Sequence, residues 1–425
     1  MTEPHALAES IASIVGTDHV TEKPDLKIDG AGPNLLARPA SADEVAACMK
    51  ACSEANAAVV PAGHMTWLDC GNPLRRADVV LSLERMRRII DYSPPDLTAT
   101  VEAGLTLSEF NAVTVRERQW LPFDPPGFKL ASLGGIAACN SSGALRLGFG
   151  TPRDYVIGLR LAHADGTESK SGGKVVKNVA GYDMNKLYVG SYGTLAIITE
   201  LTFKLRPLPE RSSTIAITSQ YRGPLFQLAR RVIASDLQPA SVVLTRRLFA
   251  LLGSSWPDDV LLVRFNDSKA AVEHQVNWVH QAIDENYKTT LLSDNEAGAV
   301  WAEVADFDQR AIRVRLSVPL SAVPAEFEKA FLAHLDCVAA ADIGTGIIRV
   351  AFDANDVTCA DQIKRLRASV TGANGALTIE KAPAEVRRAA DAWGNVGSTA
   401  ELMRSIKAGF DPHSLLNPGK FVLGL

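Results

Sequence analysis

The chain has 425 residues, more than the roughly 100 to 200 that one ordinary core organises, so it divides into two or three domains. Hydrophobic residues make up 47% and charged residues 22%, a balance that excludes disorder as the main state. Against 44 Lys+Arg stand 48 Asp+Glu, a net charge of −4 with no block of about five like charges, which excludes a nucleic-acid partner held by phosphate neutralisation.

In chain order, a helical lead-in comes first, with Leu7, Ile11, Ile14 and Val15 at helical spacing. In RPASADEVAACMKACSEAN, Ser41 is the expected N-cap, Glu44 sits at the capping-box position, and Val45, Met49 and Cys52 share one face. AAVVPAGH follows as a short strand running into a turn. Next come the strands ADVVLSL and TATVEAG, a helix near Leu107 to Glu117, and the Pro-rich loop LPFDPPG. A stretch crowded with Gly, Ser and Ala runs from Ser132 to Gly150, and two further strands, VIGLRLAHADG and TLAIITELTFKLRP, close the segment. RPLPE, Arg206 to Glu210, reads as a linker. Beyond it the order β-α-β-β-α-β occurs twice, the economical explanation being a duplicated ferredoxin-like plait. The last stretch reads as helices followed by the loop FDPHSLLNPGKFV.

The six cysteines (Cys48, Cys52, Cys70, Cys139, Cys337, Cys359) form no C-x-x-C pair and no metal spacing, so they read as thiols in a reducing compartment, with no metal site. The N-terminus is acidic without a long apolar run, and no apolar stretch of about 18 residues occurs. A cytoplasmic chain without a transmembrane segment is expected.

No P-loop is present, and GFGTPR (Gly148 to Arg153) lacks the third glycine of a dinucleotide fingerprint. No G-x-S-x-G occurs either. What remains is three small-residue loops. VPAGHMTWLDCGNP, Val60 to Pro73, follows a strand, where successive N–H groups can form a nest for a pyrophosphate, with Thr66 adding a hydroxyl. SLGGIAACNSSG, Ser132 to Gly143, has paired glycines that let backbone approach a flat ligand. VGSYGTLAIITE, Val189 to Glu200, is a tight turn into a strand. Each alone is also consistent with an ordinary turn.

The order of these loops, from about Lys27 to Glu210, resembles the FAD-binding domain of the vanillyl-alcohol oxidase / para-cresol methylhydroxylase family. Within it, KVVKNVAGYDMNKLYVGSYGTL is similar to the K-N-x-x-G-Y-D run of the 2-hydroxy-acid dehydrogenase branch, and FDPHSLLNPGKFV to that branch's C-terminal signature. CGNPLRRADVVLSL and APAEVRRAADAWG resemble the FAD-binding subunits of glycolate oxidases. The resemblance implies an α+β fold: a helical lead-in over 1–26, a two-subdomain PCMH-type FAD-binding domain over 27–210, a ferredoxin-like cap over 211–382 and a C-terminal segment over 383–425 that returns to the flavin. It implies that Pro61, Ala62, Gly63, His64, Met65 and Thr66, with Gly71 and Asn72, cradle the pyrophosphate of FAD. Ser132, Leu133, Gly134, Gly135, Asn140, Ser141 and Gly143, with Pro126, would run along the ribityl chain and ring. Gly190, Gly193, Thr194 and Ile198 would touch the adenine half or the ring edge, and Asn417 and Lys420 would reach in from the C-terminus.

The resemblance further implies oxidation of a small 2-hydroxy acid such as glycolate or D-lactate, by a subunit that works with a second flavin subunit and an iron–sulfur subunit. Through those partners the chain would sit at the periphery of a membrane. The chain departs from the branch in two places. A glycine-rich G-G-G-T is replaced by Gly63, His64, Met65 and Thr66; a positive φ at His64 or Met65 would cost on the order of 1 kcal/mol. The branch tethers FAD in some members through a histidine of this loop, but Thr66 falls in that register, so FAD is expected to be non-covalent. The branch's histidine cluster is replaced by ADIGTGIIRVAF, Ala341 to Phe352, and the nearest histidine, His334, stands alone on an amphipathic helix. Hydride loss from a hydroxy acid needs a base or Lewis acid, so this chain would relay electrons while a partner oxidises substrate. The candidate catalytic residues are Lys177 and Tyr182 of the K-N-x-x-G-Y-D run, alongside Asp183, and Arg315, whose fork suits a carboxylate and which shares a strand face with Arg313. The alternatives are a packed or surface Tyr182 and a solvated arginine face. At the level of function they are a flavin-free scaffold or a stand-alone sugar or alcohol oxidase.

Overall fold

The computed structural model describes residues 4–174, 182–249, 256–306, 310–333, 337–353 and 358–425. Helix Pro4–Val15 buries Leu7, Ile11 and Val15 in one core with helix Ala42–Glu54. Ser41 caps that second helix: its hydroxyl accepts from the Glu44 N–H at 3.1 Å, while the Glu44 carboxylate accepts from the Ala40 N–H at 2.7 Å. Val45, Met49 and Cys52 are fully buried on the face that the spacing marks.

Among the described residues, three large sheets and one two-stranded pair carry the chain. A four-stranded sheet runs Val20–Glu22, Leu35–Ala37, Val79–Ser82, Val59–Ala62, the last three parallel and, apart from Ser82, apolar, as strands covered on both faces tend to be. Its open edge is closed by the C-terminus: Val59 N–H donates to Leu415 O at 2.7 Å and Asn417 N–H to Val59 O at 2.9 Å. A five-stranded antiparallel sheet runs Ile89–Ser93, Thr98–Glu102, Ile197–Lys204, Val156–Ala162, Glu168–Gly172. The third sheet has eight antiparallel strands in the order Tyr287–Leu291, Arg211–Ser219, Asp259–Asp267, Pro239–Arg246, Val338–Asp342, Ile347–Phe352, Ile312–Ser317, Ala376–Lys381. That is one β-α-β-β-α-β unit beside another, the second strand of each copy pairing at the seam, Val243 opposite Asp342. Helices Arg222–Ala234, Lys269–Ala282, Val323–Ala333 and Thr358–Gly372 cover one face with Leu225, Val272, Phe327 and Ile363. The other face meets the first half of the chain: Arg349 donates to Ser142 O at 2.8 Å and Ser241 to Ala144 O at 3.0 Å.

Local departures from the sequence reading have simple causes. SLGGIAACNSSG is not all loop: Leu133–Cys139 is a helix, because the Ser132 hydroxyl caps the Gly135 N–H at 3.2 Å and Asn140 ends it at φ 46. RPLPE is not a free linker, since Arg206–Pro207 pairs with Gln119–Trp120. Helix Asp294–Asp306 and the edge strands Ile89–Ser93 and Glu168–Gly172 went unread because their apolar pattern is short or missing.

Candidate functional site

Where the parallel strand Val59–Ala62 ends, the chain turns through Gly63, His64, Met65 and Thr66, and none of these four N–H groups donates to a protein acceptor among the described residues. Met65 holds φ 59, whereas His64 is not in the left-handed region, so the strain of the missing glycine falls on Met65 alone. The His64 ring is engaged elsewhere, its Nε2 lying 2.9 Å from Gly104 O, half-buried. Gly63 is required by contact: a Cβ there would stand 1.9 Å from the Ser132 hydroxyl.

This turn forms one wall of a cleft between the first-half loops and the C-terminal segment. Of the residues expected around a dinucleotide, Pro61, Ala62, Gly63, His64, Met65, Thr66, Ser132, Gly134, Gly135, Gly193, Ile198, Asn417 and Lys420 all line it. Two buried polar atoms on its walls have no partner, Thr66 Oγ1 and Asn417 Oδ1. A buried orphan costs about 1–3 kcal/mol, so each calls for a ligand group. The C-terminal loop is held firmly: Asn417 sits at φ 45 and donates to Tyr192 O at 2.8 Å, and Lys420 Nζ donates to Leu68 O, burial lowering the lysine's pKa. Bare N–H groups, small side chains, one lysine and two orphan acceptors or donors fit an elongated ligand carrying a pyrophosphate and polar hydroxyls, as FAD does.

The remaining expected residues stand elsewhere. Thr194 turns inward, its hydroxyl on Ser191 O at 2.7 Å, while its carbonyl takes a 2.7 Å bond from Lys407 Nζ. Gly190, at φ 90, donates to Ala137 O at 3.0 Å. Leu133 is core. Asn72 braces the C-terminal segment, donating to Asp391 at 2.8 Å and accepting from the Ala392 N–H at 2.7 Å. Asn140 accepts from the Arg153 N–H at 3.0 Å. Gly143 donates to Asp124 at 3.1 Å and has no room for a Cβ, which would meet Asp124 O at 2.0 Å. Tyr182 is 95% exposed and lines neither cavity. Lys177 and His334 lie outside the described residues.

A second, smaller cavity adjoins the cleft and shares Trp67, Cys139 and Tyr192 with it. Gly71, Pro126 and Ser141 line it from the first half, and Arg313, Arg315, Thr378 and Glu380 from the eight-stranded sheet. Here the arginine face is not solvated. Arg315 pairs with Arg349 and Thr378 in register, and Glu380 receives Arg313 Nε and Arg349 Nε at 3.2 Å and Arg315 Nη1 at 3.9 Å. Burial pushes the Glu380 carboxyl up, but the three guanidinium groups outweigh it and hold its pKa down to about 2. One carboxylate against three arginines leaves the cavity positive, and Arg315 Nε is buried without a hydrogen-bond partner. Asp342, in the segment that replaces the branch's histidines, is buried beside Arg349 with its pKa raised to about 7 by desolvation. Tyr192, Trp67 and Cys139 were missed as site residues; the placement of Tyr192 between Gly190 and Gly193 was the available signal.

Residues 33–172 match the FAD binding domain, and residues 389–421 match the C-terminal domain of FAD linked oxidases. The chain is therefore an FAD-binding protein with a mixed α/β architecture. It is 28% identical over 427 residues to the glycolate oxidase subunit GlcD of Bacillus subtilis (strain 168), covering 91% of this chain and 88% of that protein. To the probable mitochondrial D-lactate dehydrogenase of Danio rerio it is 29% identical, covering 91% and 84%. A stretch of 188 residues is 39% identical to the glycolate oxidase subunit GlcE of Escherichia coli (strain K12), covering 44% of this chain and 50% of that one. Among solved structures, p-cresol methylhydroxylase with substrate bound superposes with a TM-score of 0.76 at 15% identity, covering 99% and 97% of the two chains. An alkyldihydroxyacetonephosphate synthase does so with 0.76 at 16%, covering 98% and 86%. These structural likenesses establish the fold. The sequence matches add a likeness to the FAD-linked oxidases over those two segments.

Proposed function

We propose that this chain is an FAD-dependent oxidoreductase acting on small 2-hydroxy acids of the glycolate and D-lactate type, as the flavin-carrying member of a larger assembly. The observation that carries this reading is the junction of a main-chain-lined cleft with an arginine-lined cavity across the shared wall of Trp67, Cys139 and Tyr192. When bound, FAD supplies a two-electron acceptor. The chain's own part is to hold and to exclude. The N–H groups of Gly63 to Thr66 would take the pyrophosphate, Thr66 and Asn417 would meet their missing partners on the cofactor, and Lys420 would add the cleft's one lysine charge. Arg315, with an unpaired Nε, would take the substrate carboxylate. His64, engaged with Gly104 O, is assigned no tether, so FAD would be held non-covalently.

Ala341 to Phe352 contains no histidine, and the one carboxylate that lines the cavity, Glu380, is engaged by arginines. That favours a chain whose substrate turnover depends on a second flavin subunit and an iron–sulfur subunit, with electrons passing on to the latter. No helix of the described residues is long and apolar enough to cross a membrane. In this reading the chain is cytoplasmic, and any membrane association comes through those partners. The test is purification, FAD loading and dialysis, followed by anaerobic addition of glycolate or D-lactate with and without co-purified partners. Retained flavin absorbance with bleaching that speeds up when partners are present is the expected result. Colourless protein after dialysis would overturn the reading.

A further inference from the structure

Tyr192 is held with unusual firmness for a turn residue. Its backbone sits at φ 56 between Gly190 at φ 90 and Gly193 at φ 65, a conformation that costs a non-glycine residue on the order of 1–2 kcal/mol. Its N–H donates to Ala138 O and its carbonyl accepts from Asn417, both at 2.8 Å. The ring lies edge-on to Trp393, centroids 4.8 Å apart, and 5.6 Å from Phe421. Backbone strain at a site wall that the surroundings over-determine is a sign of function rather than filler. The phenol stands on the wall common to both cavities, and among the described residues its hydroxyl makes no hydrogen bond.

Across that wall, Arg313 and Arg349 ion-pair with Glu380 at 3.2 Å while Arg315 approaches it only at 3.9 Å, and the buried Nε atoms of Arg313 and Arg315 both lack a hydrogen-bond partner. Tyr192 and Arg315 thus line one small, positively charged space together, the phenol without a hydrogen-bond partner among the described residues and the guanidinium with its Nε unpaired. We propose that Tyr192 is a substrate-recognition residue, whose phenol donates a hydrogen bond to a small carboxylate held by Arg315 at the mouth of the flavin cleft. The phenol serves as a donor and not as a base: burial, with the Cys139 and Cys70 thiols nearby, pushes its pKa well above the ordinary tyrosine value, and Arg315 only partly opposes this. This inference rests on the reading of the chain as an FAD carrier for 2-hydroxy acids.

Oxalate, which has no C–H bond to lose, is a suitable probe. FAD-loaded full-length protein is titrated with oxalate and the flavin absorbance followed, for the native chain, Tyr192→Phe and Arg315→Gln, with flavin content and melting temperature measured for each. A saturable shift in the native chain, weakened about tenfold or more in Tyr192→Phe at unchanged flavin content and melting temperature, is the expected result, with Arg315→Gln weaker still. Equal affinity in the native chain and Tyr192→Phe overturns the role of Tyr192 and leaves the proposed function standing. Loss of flavin from Tyr192→Phe also overturns it, since the hydroxyl would then serve the cofactor. No shift in flavin-loaded native protein overturns both the recognition role and the carboxylate reading, whereas native protein that retains no flavin removes the proposed function itself.

Discussion

The cleft and the adjoining cavity share a wall but recognise by opposite means. The cleft is lined by backbone, small residues and apolar side chains, with Lys420 its one lysine or arginine and no carboxylate among its lining residues, whereas three charged side chains from adjoining strands, Arg313, Arg315 and Glu380, line the cavity. Main-chain donors are fixed by the fold and tolerate changes of side chain, as the Met65 departure illustrates. Side-chain charges can be exchanged one at a time, which makes the cavity the natural place to set what is bound. The comparison teaches that the cofactor site is guarded by steric constraint and the cavity by charge balance.

The largest expected effect strikes the support of the cleft. Lys407 is buried with Asp411 at 2.6 Å and bridges Thr194 O and Leu416 O, tying the C-terminal loop to the turn that holds Tyr192. Lys407→Met strands the carboxylate and is expected to cost about 3–5 kcal/mol, read as a fall in melting temperature with loss of flavin. Next is the cavity. Glu380 ionises near pH 2 in the folded chain instead of the usual 4.5, so its stabilisation is full above about pH 4.5 and is lost as pH falls towards 2. On that shift Glu380→Gln should cost about 3 kcal/mol at neutral pH, the gap between the two proteins narrowing through that acid window in denaturant titrations. A constant gap would show that Glu380 is not the arginines' counter-charge.

Smaller is Gly63→Ala, whose Cβ would displace the Ser132 hydroxyl from its 3.2 Å cap on Gly135. Lost capping costs roughly 1 kcal/mol, and flavin retention on dialysis should fall more than stability does. Smallest is Met65→Gly. Relief of the strain at φ 59 is largely offset by the greater freedom of an unfolded glycine, so stability should move by less than about 1 kcal/mol, with flavin affinity unchanged. A marked gain in affinity would mean that the methionine itself obstructs the cleft.

Much of the cleft was legible because a site made of main chain writes itself as small residues in sequence: VPAGHMT, SLGG and the glycines around Tyr192 announce where backbone must come close. The alternation of Arg313 and Arg315 with Ile312, Val314 and Leu316 likewise revealed a polar strand face. Tyr182 shows the reverse case, a motif residue that the tertiary structure leaves in solvent, while Tyr192, which the sequence did not single out within its glycine turn, lines both cavities. Asn72, next to the cavity residue Gly71, and Thr194, next to the cleft residue Gly193, were claimed by structural bonds to distant segments.

What the sequence determined by itself was local: the caps, the strand periods, the repeated β-α-β-β-α-β order and the glycine turns, all set by neighbours a few residues away. What only the tertiary structure decided was charge and company. Glu380 meets Arg313, Arg315 and Arg349 because separate strands come into register, and Leu415 to Lys420 return to the first parallel sheet. Such encounters depend on sheet order and burial over long separations, which no short-range pattern encodes.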